Sequence, residues 1–241
     1  MCINVISVEF GSVSNRNGGS IPSSFLQACF KDMKPLNMFN YNTEKHFCEE
    51  FCIMNSPEEN MNRKLINFKV IPCVESIIEA SKTKPDPRNK MLFATVRGQG
   101  GGKTRALEEI HRELLNREGV FSLAVTYNSK WSADEKDDYW NVSDLTLSYS
   151  LSLVSRMASM FYGEELIRIV YTMKRELSEF PMNGIDSKDL IRAFVLHAVN
   201  QIESEFDTKV YTFVLLMDEI VKMNNVINEL FAPVKIKDGS H

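Results

Sequence analysis

The chain has 241 residues, 44% hydrophobic and 25% charged. That profile fits a folded globular protein and excludes disordered, collagen-like and coiled-coil classes. Its 28 basic and 32 acidic side chains leave a net charge of −4, so no global positive field draws it to nucleic acid.

The N-terminal sequence MCINVISVEFGSVSNR has no basic start and reaches Glu9 early, so no secretory signal is expected. No apolar run approaches the roughly 18 residues of a membrane span, and no membrane crossing is expected. The expected location is cytoplasmic or nuclear, with effector secretion by another route left open. Residues 1–67 are punctuated by Gly, Ser, Asn and Pro without a sustained period and read as an irregular N-terminal region. Cys2, Cys29, Cys48, Cys52 and Cys73 form an odd, scattered set, so free thiols are expected. His46, Cys48 and Cys52, completed by Cys29 or Cys73, fit no common zinc spacing, and thiols are favoured over zinc.

From residue 68 to 241 the texture is that of one α/β domain. VIPCVESIIEASKTK has helical spacing at Val74, Ile77, Ile78 and Ser81, and the prolines of TKPDPRNK end it. MLFATV, residues 91–96, reads as a strand buried on both faces, followed by a glycine cluster. TRALEEIHRELLNREG then sets Leu107, Ile110 and Leu114 on one helical face, with Glu108, Glu109, Arg112 and Glu113 on others and Gly119 as the stop. His111 reads as a surface histidine. VFSLAVTY, residues 120–127, is a second buried strand, completing the β-α-β rhythm of a parallel sheet. Trp131 and Trp140 bracket an acidic segment that would repel nucleic acid. Three helices fill an insertion over 143–206, in which His197 reads as a satisfied core residue. VYTFVLLMD, residues 210–218, is a third buried strand, and VKMNNVINELF a last helix.

Between the first strand and its helix stands Arg97-Gly98-Gln99-Gly100-Gly101-Gly102-Lys103-Thr104. It resembles the Walker A phosphate loop, GxxxxGK[ST], with Arg97 in the first glycine position. Residues without a β-carbon let consecutive backbone N–H groups close on a polyphosphate, and the helix adds its positive N-terminus. Lys103 is placed to reach the β- and γ-phosphates, and the Thr104 hydroxyl to coordinate Mg²⁺. LLMDE, residues 215–219, has the Walker B form: Asp218 for the metal shell and Glu219 to orient water. Asp218 as a simple helix cap is the competing reading.

Together these elements resemble a P-loop NTPase with an additional catalytic glutamate. RGQGGGKTRALEEI, then LAVTYNSKW and a Leu/Ser-rich helix with Arg156, are similar to the ATPase modules of Crinkler effectors and retrotransposon hot spot proteins, over roughly residues 68–220. In that resemblance Arg105 belongs with the loop, and the implied fold is a three-layer sandwich with a parallel sheet and a helical insertion. The implied ligands are ATP and Mg²⁺, with a protein partner or homo-oligomer as further expectations.

The pattern breaks after Glu219. Enzymes of the glutamate branch place a strand with a polar sensor residue between the phosphate-loop strand and the Walker B strand. Residues 220–241 offer only FAPVKI, weakened by Pro233. Either the C-terminal strands are missing, or the first and third strands pair directly in a reduced sheet. Two functions stay open: slow or partner-dependent Mg²⁺-ATP hydrolysis, and a degenerate fold serving as an interaction or effector module. A small-molecule kinase would share the loop, but no basic lid segment supports it.

Overall fold

The computed structural model describes residues 2–6, 21–37, 69–82, 92–94, 103–127, 140, 144–180 and 185–218. In chain order the elements are β1 (Cys2–Ile6), α1 (Ile21–Phe30), α2 (Val70–Lys82), β2 (Leu92–Ala94), α3 (Lys103–Leu115), β3 (Val120–Thr126), α4 (Leu145–Tyr162), α5 (Leu166–Leu177), α6 (Ser187–Phe206) and β4 (Thr212–Asp218).

Two apolar runs form the longest strands. Every residue of β3 and β4 is buried, and the two pair in parallel from Val120↔Thr212 to Thr126↔Asp218. Parallel neighbours require a long crossover, which α4, α5 and α6 provide inside the stretch expected to be helical. Alternation along the strands assigns their faces. Ser122 meets His111 of α3, whereas the Phe121 ring meets Phe161 of α4, so α3 and α4 cover opposite faces of the sheet. Behind α3 lies α2; α6 and α5 pack on α4, and α1 packs on α6 and α5.

Local chemistry sets the ends of these elements. Asp144 caps α4, its carboxylate accepting from Thr146 N at 2.8 Å and Leu147 N at 3.3 Å. Gly163 ends α4 in the left-handed region at φ 66°, and an added β-carbon there would lie 2.7 Å from Leu36 Cδ1. Gly119, at φ 70°, turns the chain into β3, and its carbonyl accepts from Tyr211 N and Thr212 N at the start of β4.

The sheet differs from the expected all-parallel one. Its order is β2-β1-β4-β3, and β1 runs antiparallel to both neighbours, pairing Cys2 with Ala94 on one side and Met217 on the other. β2 and β4, the strands read as carrying the glycine loop and the Asp-Glu pair, therefore do not pair directly, because β1 occupies the slot between them. Residues 1–67, expected to be irregular, supply this strand and the helix α1, whose Phe25, Leu26 and Phe30 are fully buried. Five residues, three of them paired on both sides, need no long periodic signature of their own, since distant strands provide the hydrogen bonds.

Candidate functional site

One rung of the sheet runs Ala94, Cys2, Met217, Val125. It marks the edge at which β2, β3 and β4 all reach their C-terminal ends, the edge where open α/β sheets bind ligands. Gly98, Gln99, Gly100, Gly101 and Gly102, with Arg97, lie outside the described residues, as does Glu219. Lys103, Thr104, Arg105 and Asp218 are described. Lys103 is the first residue of α3 and is half-buried.

The Thr104 hydroxyl donates to Asp218 Oδ2 at 3.0 Å. Helical spacing puts Thr104, Glu108 and His111 on one stripe of α3, and strand alternation puts Asp218 and Ser122 on the sheet face opposite it. The stripe meets that face at both ends, at Thr104 with Asp218 and at His111 with Ser122, whose Oγ lies 2.6 Å from Nδ1. Asp218 is only 2% exposed. A hydroxyl and a carboxylate are hard oxygen donors of the kind Mg²⁺ takes, and Mg²⁺ keeps waters and phosphate oxygens for its remaining positions. Among the described residues no group of three or more His, Cys, Asp or Glu forms a metal cage. The Thr104–Asp218 pair fits a shared metal with few protein ligands.

Arg105 is placed along the helix. Its Nη1 lies 2.9 Å from Glu108 Oε2 and its Nη2 2.8 Å from Glu109 Oε1. Its fork is thus directed at two carboxylates of its own helix. Glu108, expected off the Leu107–Ile110–Leu114 face, is nonetheless buried, and its Oε1 has no hydrogen-bond partner. Burial pushes its carboxyl above the ordinary value, an effect that the Arg105 charge opposes.

His111 corrects the surface reading: it is 1% exposed. The signal was present in the sequence, because Ser122 is the polar interruption of an apolar strand and needs a buried partner. His197 has the hydrogen-bond partner its core reading called for, but it is half-buried and not part of the buried core. Its Nε2 lies 2.8 Å from Tyr162 Oη, which also lies 3.1 Å from Gln201 Oε1. Burial lowers the His197 pKa and raises that of Tyr162. This trio joins α4 to α6 in the helical layer, away from the sheet edge.

On the opposite face from Asp218, Arg156 of α4 is 1% exposed, with its guanidinium carbon 4.3 Å from the centre of the Tyr127 ring. Tyr127 follows β3 directly, and its N–H donates to the Asp218 carbonyl at 3.3 Å. The sequence offered both residues only as part of a resemblance. Trp140 is buried, with Lys174 Nζ 5.4 Å from its ring centre; Trp131 and the acidic segment lie outside the described residues.

The remaining expectations are less informative. Cys29 and Cys73 are free thiols, both with pKa raised by burial, while His46, Cys48 and Cys52 lie outside the described residues. Among the described residues no helix is long and apolar enough to cross a membrane. No protein-family model matches the chain, and neither a curated protein nor a solved structure matches it significantly.

Proposed function

We propose that the chain is a Mg²⁺-dependent nucleotide-binding module of the P-loop type that takes ATP and hydrolyses it slowly or only with a partner. The observation that carries this reading is the 3.0 Å contact between Thr104 and Asp218. A Gly-Lys-Thr sequence at a helix start and an Asp at the end of a buried strand are separately common. Their side chains meeting at the ligand edge of a sheet is the arrangement a shared Mg²⁺ requires.

Each residue then has a role that follows from its chemistry. Gly98 to Gly102 offer backbone N–H groups to the triphosphate, and Lys103 places a cation against the β- and γ-phosphates. Bound Mg²⁺ would neutralise phosphate charge. Thr104 and Asp218 hold oxygens toward it, and Glu219 orients water. Arg105, engaged by Glu108 and Glu109, braces the first turn of α3.

The alternative, an interaction or effector module with little or no turnover, draws support from β1. The slot that the glutamate branch fills with a sensor strand holds a strand running the opposite way. A polar residue at the C-terminal end of β1 is carried to the far edge of the sheet, away from Asp218.

Calorimetric titration with ATP and GTP, with and without Mg²⁺, tests the reading beside Lys103→Ala. Losing a charge-assisted contact in a desolvated site should weaken triphosphate affinity by roughly 2 to 4 kcal/mol. Unchanged affinity would remove the phosphate-loop assignment.

A further inference from the structure

Resting on the nucleotide-site reading, we propose that Arg156 is a positioning residue for the metal ligand Asp218, acting through Tyr127 from behind the sheet. A continuous series of contacts carries it. Arg156 Nη1 donates to the Ser152 carbonyl at 3.2 Å and to Ser152 Oγ at 2.6 Å, which anchors the guanidinium to its own helix. The guanidinium carbon lies 4.3 Å from the centre of the Tyr127 ring. The Tyr127 N–H donates to the Asp218 carbonyl, and Asp218 Oδ2 accepts from Thr104.

Strand ends fray because their last groups lack ladder partners. Asp218 is the last residue of β4, and the direction of its carboxylate depends on how firmly its backbone is held. The Tyr127–Asp218 bond is the last bond of the ladder and closes the final rung, Thr126↔Asp218. That contact is as firm as Tyr127 itself. A cation over an aromatic face attracts it more strongly when desolvated, which holds the ring and with it the amide. Alternation sends the Tyr127 side chain to the α4 face and the Asp218 carboxylate to the α3 face. Arg156 therefore acts without touching nucleotide or metal.

This placement separates two affinities. Lys103 serves the phosphates whether or not metal is present, whereas Arg156 serves only the ligand that holds the metal. The experiment is calorimetry of ATP binding to the full chain, in Mg²⁺ and in EDTA, for wild type, Arg156→Met, Tyr127→Leu and Tyr127→Phe. Methionine replaces the buried charge at comparable length, and circular dichroism with a thermal melt verifies folding.

Arg156→Met and Tyr127→Leu should each lose about tenfold of the Mg²⁺-dependent gain, the scale on which supports of metal ligands act, with affinity in EDTA unchanged. Tyr127→Phe, which keeps ring and amide, should retain the gain. Wild-type gain in folded Arg156→Met, or equal losses in Mg²⁺ and EDTA, would overturn the proposal. If Arg156→Met does not fold, Tyr127→Leu decides on the same criteria. A wild type that gains nothing from Mg²⁺ removes the site reading itself and this inference with it, an outcome distinct from failure of the variants alone.

Discussion

Thr104 Oγ1 and Asp218 Oδ2 lie 3.0 Å apart although 114 residues separate them in sequence. The contact ties the first turn of α3 to the end of β4, so the two side chains should act on a bound cation as a unit. Thr104→Ala and Asp218→Asn should each weaken MgATP binding, and the double variant should lose less than the sum. A coupling of roughly 1 to 3 kcal/mol is expected for residues in contact. Strict additivity in titrations of all four proteins would mean that they do not share a metal.

Turnover should be slow. Stabilising charge on a transferred phosphoryl group commonly takes an arginine beyond the loop lysine, worth ~10³ to 10⁵ in rate. Arg105 is committed to Glu108 and Glu109, and Arg156 faces the other side of the sheet. Steady-state hydrolysis by the isolated chain should stay below about 1 s⁻¹. Glu219→Gln should remove what remains while leaving MgATP affinity within about tenfold. Rates above that figure would show the site to be complete without a partner.

Acid should loosen the helical layer at His197. Burial holds its folded-state pKa below the ordinary 6.5. As pH falls through about 6.5, the unfolded chain takes up the proton first, and stability is lost down to the lower folded value. Above that window the contribution is fully present. Urea midpoints at about pH 7.5 and 5.5, bracketing the ordinary histidine value, should fall more for wild type than for His197→Gln. Parallel declines would exclude His197 as the cause.

Glu108 has the opposite sign. Its folded-state pKa is raised by burial, so stability is lost progressively as pH rises from the ordinary carboxylate value to the folded-state value, and the full penalty stands above that window. Glu108→Gln removes the buried charge and leaves Arg105 paired with Glu109. At about pH 7.5 the variant should be more stable by roughly 1 kcal/mol, the scale of relieving an unsatisfied buried group. The gain should shrink as pH approaches the carboxylate range. A destabilised variant at high pH would show that the Arg105–Glu108 pair outweighs the burial cost.

The parts of this architecture that could be read in the sequence are those in which chain neighbours decide the structure. VFSLAVT and TFVLLMD carry their burial in composition, and α3 follows its glycines with an amphipathic period. Lys103, Thr104 and Asp218 could be named because each stands at a fixed offset from an element boundary. What could not be read depends on distant partners. CINVI becomes a strand only because β2 and β4 receive it, and Glu108 and His111 are drawn inward because the sheet covers their stripe. Arg156 and Tyr127 acquire meaning only when α4 folds across the end of β3.

The position of β1 also imposes an order of assembly. Residues 2–6 leave the ribosome long before residues 212–218, yet they pair with both β2 and β4. Pairings so remote in sequence form late and slowly, since loop closure must precede any gain from contact. Until β4 is in place, the β1 segment has only the three-residue β2 as a sheet partner, and a nascent chain must carry it unseated. A chain lacking β1 would leave β2 and β4 with unsatisfied edges facing a common gap, the kind of surface through which chains associate with one another. Because β1 lies in the middle of the sheet, it cannot be fully paired before β4 is in place, and the seam of the molecule lies beside the residues proposed to hold the metal.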